Sequence, residues 1–332
     1  TLVVFCVIET KVANPMFRLP LFRIRAFTAG NVASLVGSMG RGGLQFILII
    51  WLQGIWLPLH GYSFVNTPLW AGIYLLPLTA GFLIAGPVSG YLSDHYGARP
   101  FATGGMIVAA VSFFLLQTLP VDFSYWEFAG ILVVFGIGSG LFASPNRAGV
   151  MNSLPPNQRG AGAGMMATFQ NSATVLSIGI FFTLIILGLS GTLPGSLYHG
   201  LVAHGVPAAD ARKVADLPPV ASLFAAFLGY NPIETLLGPL LSHLPASQAA
   251  YLAGRSFFPS LISPAFAKGL GAALDFGAIA SLVAAVASWL RGGKYHYNAA
   301  GDVVADDDSA ARNPDRAPAG RGVPAGVPGA AR

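Results

Sequence analysis

Six long apolar runs, at 27–52, 70–92, 101–119, about 126–144, 162–189 and 266–290, alternate with polar links along the chain. Each is long enough to cross a bilayer as a helix, for which about 20 residues are needed. The runs are continuously apolar, not alternating residue by residue, which predicts helices and not a barrel. Residues 1–8 are apolar too and read as the last turns of a helix that begins upstream. The predicted fold class is an all-α membrane protein with six transmembrane helices between residues 26 and 290. A polar link at 9–25 precedes them and a tail at 291–332 follows.

The longest link, 191–264, is predicted to lie outside. Within it, 220–230 is apolar but too short to span, and Asn231, Pro232 and Glu234 interrupt it before 236–241. This pattern predicts a pair of short helices on the outer surface; a re-entrant hairpin is the alternative. A single extra crossing is disfavoured, because it would put Arg291 and Lys294 outside. The tail is rich in Ala, Gly, Pro and Asp and is expected to be disordered, with Asp306, Asp307 and Asp308 a solvated patch.

Composition agrees with the pattern. The 332 residues are 54% hydrophobic and 9% charged, with mean hydropathy +0.64, against roughly a quarter charged in a soluble domain. One cysteine, Cys6, excludes an internal disulfide and a cysteine metal cluster. The basic balance does not predict nucleic-acid binding, because the cations follow membrane topology. The links 9–25, 95–99 and 145–160 carry 4, 1 and 2 Lys or Arg, and the short links after the first and third runs carry none. That alternation predicts the basic links and the tail to be cytoplasmic. Trp56 and Trp70, in the cation-free link 54–69, fit an interfacial aromatic belt. The chain starts without Met inside an apolar run and is expected to be a fragment lacking its N-terminal part.

Polar residues inside the runs mark candidate chemistry. Asn31, Ser34, Ser38, Arg41 and Gln45 are spaced 3, 4, 3 and 4 apart, one face of a helix. An arginine near mid-span costs at least about 2.5–3.5 kcal/mol unless it meets water, an anion or a carboxylate. Arg41 therefore reads as a cavity-facing group, with burial against helix-end carbonyls the structural alternative; Gly40, Gly42 and Gly43 permit close contact around it. Asp275 is the one carboxylate well inside a run, and reads as a coupling site, an interhelical hydrogen bond or part of an outer vestibule wall. Gln170, Asn171, Thr174 and Ser177 cluster on one side of the fifth run, as cavity lining or as interhelical bonds. Gly136, Gly138 and Gly140, and Gly81, Gly86 and Pro87, read as packing and kink positions. Phe46, Trp51, Trp56, Phe82, Phe113, Phe169 and Phe181 could build an apolar pocket, although lipid contact is the simpler role for each. His199 and His204 have no third ligand, so no metal site is predicted. No cofactor is predicted, and no run pairs a nucleophile with a histidine or two zinc ligands, which argues against a membrane-embedded enzyme.

The link between the second and third runs, GYLSDHYGARP, carries the most specific pattern. Gly90 allows a close helix approach and Gly97 a left-handed exit. Asp94 is placed to accept from N–H groups at a helix start or to pair with Arg99; Pro100 suits a first helical turn. Gly90, Leu92, Asp94, Gly97 and Arg99 resemble the G-x-L-x-D-x-x-G-x-R/K loop of the major facilitator superfamily. Pro155, Pro156, Arg159, Gly160, Gly164 and Asn171 resemble the matching region of its fourteen-helix drug:proton antiporters, so the resemblance covers nearly all of 1–290.

The resemblance implies the C-terminal six-helix half of such a transporter, with 1–8 ending a linker helix. It implies alternating access and proton-coupled efflux of a small molecule, with 90–99 acting as a cytoplasmic latch. The implied partners are membrane lipid, a small-molecule substrate, protons and the missing N-terminal half, with no nucleic acid; the implied location is a bacterial inner or cytoplasmic membrane. Arg41 keeps an anionic or zwitterionic metabolite open as substrate. A non-transporting half is the remaining alternative.

Overall fold

The computed structural model describes residues 17–218, 220–221, 236–238, 241–254, 256–292, 296–297 and 303–304. The expected helix end at 1–8, most of the apolar stretch 220–230 and the tail aspartates lie outside the described residues, as does Lys294.

Among the described residues, six helices are long and apolar enough to cross a membrane. We label them α1 (Arg25–Leu59), α2 (Thr67–Tyr96), α3 (Ala98–Thr118), α4 (Tyr125–Asn152), α5 (Arg159–Ser190) and, after three short helices, α9 (Phe257–Trp289). The short helices are α6 (Leu193–Ala203), α7 (Ala208–Ala215) and α8 (Ala246–Leu252). A two-residue antiparallel pair, His296–Tyr297 with Val303–Val304, lies beyond α9.

Several helices outrun the apolar runs that predicted them. The first was expected to end at Leu52, but a π-helical stretch, Leu52–Trp56, carries it on to Leu59. That stretch is buried, because both indoles reach the α3–α4 link. Trp51 Nε1 donates to the Val121 carbonyl at 3.2 Å and Trp56 Nε1 to the Phe123 carbonyl at 3.0 Å. Trp56 is thus a core residue stacked between His60 and Phe123, not an interfacial anchor. Likewise Pro145 was expected to open a loop, yet α4 continues through it to Asn152. Proline is tolerated within membrane helices because neighbouring groups satisfy the freed backbone. Most of the predicted loop 145–160 is therefore helix. The outer link is shorter than expected as well, since α9 begins at Phe257.

Helix α4 packs against α2 on one side and α3 and α1 on the other; α9 packs against α3, α1 and α5. α1 is the most enclosed span and α2 the least, with 72% and 17% of their apolar windows buried. Trp51, Phe113 and Phe181 are fully buried, which corrects the expectation of lipid contact for them. Phe169 packs edge-on against Phe17 and Phe22.

Glycines set the helix spacing. A Cβ on Gly136 would strike the Leu78 carbonyl of α2, and one on Gly81 the Val133 carbonyl of α4. Gly138 faces α3 in the same way, its Cβ direction 2.7 Å from the Gly105 carbonyl. Ser89 adds an interhelical bond, its hydroxyl donating to the Gly140 carbonyl at 3.1 Å. In lipid, where apolar surface alone does not drive helices together, such close backbone contact is a main source of association.

Replacing Gly136 by alanine is expected to lower the thermal unfolding midpoint in detergent, an overpacking cost of roughly 1–3 kcal/mol. Gly130→Ala on the same helix, where a Cβ meets nothing within 4 Å, is expected to leave the midpoint unchanged or slightly raised.

Candidate functional site

The polar face predicted on α1 begins in the protein interior. Asn31 is buried and donates from Nδ2 to the Phe27 carbonyl one turn back, at 2.9 Å. Ser34 is fully buried and accepts a 2.7 Å bond from Asn146 Nδ2 of α4. The same Asn146 nitrogen reaches the Gly30 carbonyl at 3.1 Å. The amide oxygens of Asn31 and Asn146 are buried without a hydrogen-bond partner. Gly30 makes room here, since a Cβ on it would strike the Val150 side chain and press on Arg291 Nη2.

One turn further along, α1, α3, α4, α5 and α9 enclose a small cavity of about 40 Å³. Ser34, Ser38 and Arg41 line it from α1, Ser139 and Asn146 from α4, Gln170 from α5 and Ser281 from α9, with Met106, Phe135 and Phe142 as apolar wall. Arg41 is its sole charged lining residue among those described. The Arg41 side chain is exposed and points over the Phe82 ring of α2 at 5.5 Å. Its glycine neighbours face the other way. Gly40 abuts the Gly277 carbonyl and Ser281 of α9, while Gly42 and Gly43 abut Thr174, Ser177 and Phe181 of α5. Because α5 and α9 pack flush against these glycines, the side of α1 left unfilled is the one that carries Ser38 and Arg41. Gln45 lies exposed one turn beyond Arg41.

The other expected cavity residues are placed differently. Thr174 and Ser177 bond carbonyls of their own helix and pack on Gly42; Asn171 is exposed and does not line the cavity. Asp275 accepts a 2.7 Å bond from Gln117 Nε2 in the last turn of α3, at an exposed position. Gly277, half a turn on, meets the Phe113 ring of the same α3, and Asp275 is not among the residues that line the cavity with Arg41. Asp275 and Arg41 therefore do not share the cavity. Asn146 and Ser139 were not anticipated as site residues. Their one signal was a polar side chain amid apolar and small residues; Ser139 lay within the fourth predicted span, and Pro145 made the stretch that holds Asn146 read as loop.

The 90–99 link forms a second feature, at the end of the bundle where the basic residues gather. Gly97 has φ +87°, a conformation side chains disfavour, and joins α2 to α3 without an intervening loop. The expected contacts of Asp94 are not made: it forms no ion pair with Arg99, and no side chain caps α3. Arg99 instead lies over the Trp289 ring of α9 at 3.9 Å, a favourable cation–π contact that draws its stem away from Asp94. Arg25 Nε donates to the Leu290 carbonyl at 2.9 Å, closing the C-terminal end of α9. Arg291, read from sequence only as a topology marker, is 3% exposed. Burial pushes its guanidinium down to about 10, so it stays protonated at neutral pH. Around Asp94, Arg99 and Arg291 opens a cavity of about 480 Å³.

In a Cys6→Ser background, Arg41→Cys and Ser38→Cys are expected to react with a hydrophilic thiol reagent in membrane vesicles. Leu44→Cys, on the enclosed face of the same helix, is expected to stay unmodified. Equal labelling at Leu44 and Arg41 would show that the α1 face is not a water-reached surface.

Residues 8–178 match the profile of the Major Facilitator Superfamily, just over half of the chain. Among characterised proteins, the chain is 28% identical over 173 residues to the riboflavin transporter RibZ of Clostridioides difficile, covering 52% of this chain and 36% of that protein. It is 27% identical over 288 residues to the tetracenomycin C resistance and export protein of Streptomyces glaucescens, covering 86% and 48% respectively. The multidrug transporter protein MdtP of Bacillus subtilis is 26% identical over 260 residues, covering 76% and 44%. The chain thus spans between about a third and a half of the length of these relatives.

Proposed function

Because this chain belongs to the major facilitator superfamily, whose members are multi-pass membrane transporters and not enzymes, we propose that it serves proton-coupled efflux of a small molecule by alternating access. One of its relatives is named for resistance and export, which supports export over uptake. The observation that carries the reading is the mid-span cavity of α1, where five helices bring Ser34, Ser38, Arg41, Asn146 and Gln170 together inside an apolar bundle. Polar groups at that depth are costly unless they serve a solvated path.

In this reading the six helices are the C-terminal half of the transporter, and a second six-helix half completes the path. The outward apolar faces of α2 and α5, at Leu83, Ile84, Val175 and Leu187, are the surfaces that half would cover. Gly90, Asp94, Gly97 and Arg99 act as the cytoplasmic latch, with Gly97 setting the bend and Arg99 tying α3 to α9. Among the described residues that line the Arg41 cavity there is no carboxylate, so Asp275, bonded to Gln117 on another side of α9, would act apart from it.

A second reading concerns the substrate. The one charge among the described residues of the cavity lining is positive, which favours a molecule with an anionic or zwitterionic group over a purely cationic drug. Arg41 would bind that group through its planar fork of donors.

The test is proton-gradient-dependent efflux from inverted vesicles carrying the intact gene product. Arg41→Ala is expected to cut efflux roughly tenfold or more at equal membrane abundance, with Arg41→Lys recovering only part, because charge without the bidentate fork is a weaker anion site. Full efflux by Arg41→Ala would assign the arginine a structural role and remove the cavity as the substrate site.

A further inference from the structure

We propose that the cavity between α2, α3, α4 and α9 at the basic end of the bundle binds a phosphate-type anion, held by Arg291 and Arg99. The cavity measures about 480 Å³, room for a phosphate and a substituent, given about 30 Å³ for each water of the liquid. Three separate features of its wall call for negative charge.

The first is Arg291. It is 97% buried, and only Nη1 has a partner, the Pro145 carbonyl at a long 3.5 Å. Its Nε and Nη2 are buried without partners. A guanidinium so placed is strongly disfavoured unless an anion meets it. Gly149 is what lets the Arg291 fork reach this wall, since a Cβ there would collide with Nη1.

The second is Arg99, whose Nε is also buried without a partner while its face rests on Trp289. That stacking fixes the plane of the fork and leaves its edge for a ligand. The third is the start of α3. Gly97, Ala98 and Arg99 line the cavity, and no side chain caps the helix. Uncapped amides at the N-terminus of a 21-residue helix favour an anion by geometry and dipole.

Asp94 also lines the cavity and opposes an anion. Among the described residues, Asp94, Arg99 and Arg291 are the charged groups of the lining and sum to +1, a balance that one phosphodiester neutralises. That ligand could be the headgroup of an anionic phospholipid or a soluble phosphorylated compound; the same forks would hold either.

The test uses the full chain in detergent and reads binding, so it stands apart from the efflux reading. Inorganic phosphate, against chloride at equal ionic strength, and phosphatidylglycerol, against phosphatidylcholine, are titrated while the thermal unfolding midpoint is followed. A saturable rise with phosphatidylglycerol alone assigns a lipid, with phosphate alone a soluble anion, and either supports the site. Arg99→Gln is expected to weaken the effect about tenfold or more, from lost charge-assisted bonds. Asp94→Asn is expected to strengthen it, a gain that loss of a purely structural contact would not produce. Arg291→Lys should weaken it too, but Arg99→Gln and Asp94→Asn decide the matter if that buried variant misfolds. No response from the wild type to either probe, or a response unchanged in both Arg99→Gln and Asp94→Asn, would overturn the proposal.

Discussion

Close backbone contact at glycine is the constraint on which this bundle rests. Lipid tails are as apolar as leucine, so helices gain little by hiding apolar side chains from them. What holds α4 between α2 and α3 is the absence of a Cβ at Gly81, Gly136, Gly105 and Gly138, each facing a carbonyl of the neighbouring helix. The same device closes α5 on α9, where a Cβ on Gly188 would enter the backbone at Gly269. The cavity beside Arg41 is a by-product of this arrangement. Its glycine neighbours pull α5 and α9 tight to one side of α1 and leave the side that carries Ser38 and Arg41 incompletely filled.

Guanidinium groups are the second theme, and each is accommodated differently. Arg41 stands exposed beside the Phe82 ring. Arg25 closes a helix C-terminus, Arg99 spreads over an indole, and Arg291 is buried with most of its donors unmatched. Arginine suits all four settings because its weakly hydrated, planar charge tolerates stacking and partial burial better than an ammonium does. The gathering of Arg25, Arg99 and Arg291 at the same end of the bundle makes that end electrostatically unlike the rest of the molecule.

The six spans were legible because a run of apolar residues has few alternatives in a chain with so little charge. The α1 polar face was legible because helical periodicity fixes which residues share a side. Helix ends were harder. Polar residues do not end a helix that its neighbours cover, so α4 runs on through buried Asn146 to Asn152 and α1 through buried Gln53 to Leu59. Partners were hardest. Asp94 and Arg99 are five apart in sequence, yet the aromatic ring that takes Arg99 comes from Trp289. Asp275 lay in an apolar run like Arg41, but nothing in the sequence said that its side of α9 meets Gln117 and not the cavity. Asn146 was hidden by its proline neighbour, whose helix-breaking tendency in water did not apply where adjacent helices support it.

The paired indole bonds at the far end of α1 have a mechanical meaning. Trp51 and Trp56 fasten that end of the helix to the carbonyls of Val121 and Phe123, so it behaves as a clamped beam joined to the α3–α4 corner. Flexing of α1 has to be absorbed below the clamp, and the weakest segment there is Gly37–Ser38–Met39–Gly40–Arg41–Gly42–Gly43. The arginine is therefore carried on backbone of low intrinsic helix propensity that depends on close packing by α5 and α9 for its support.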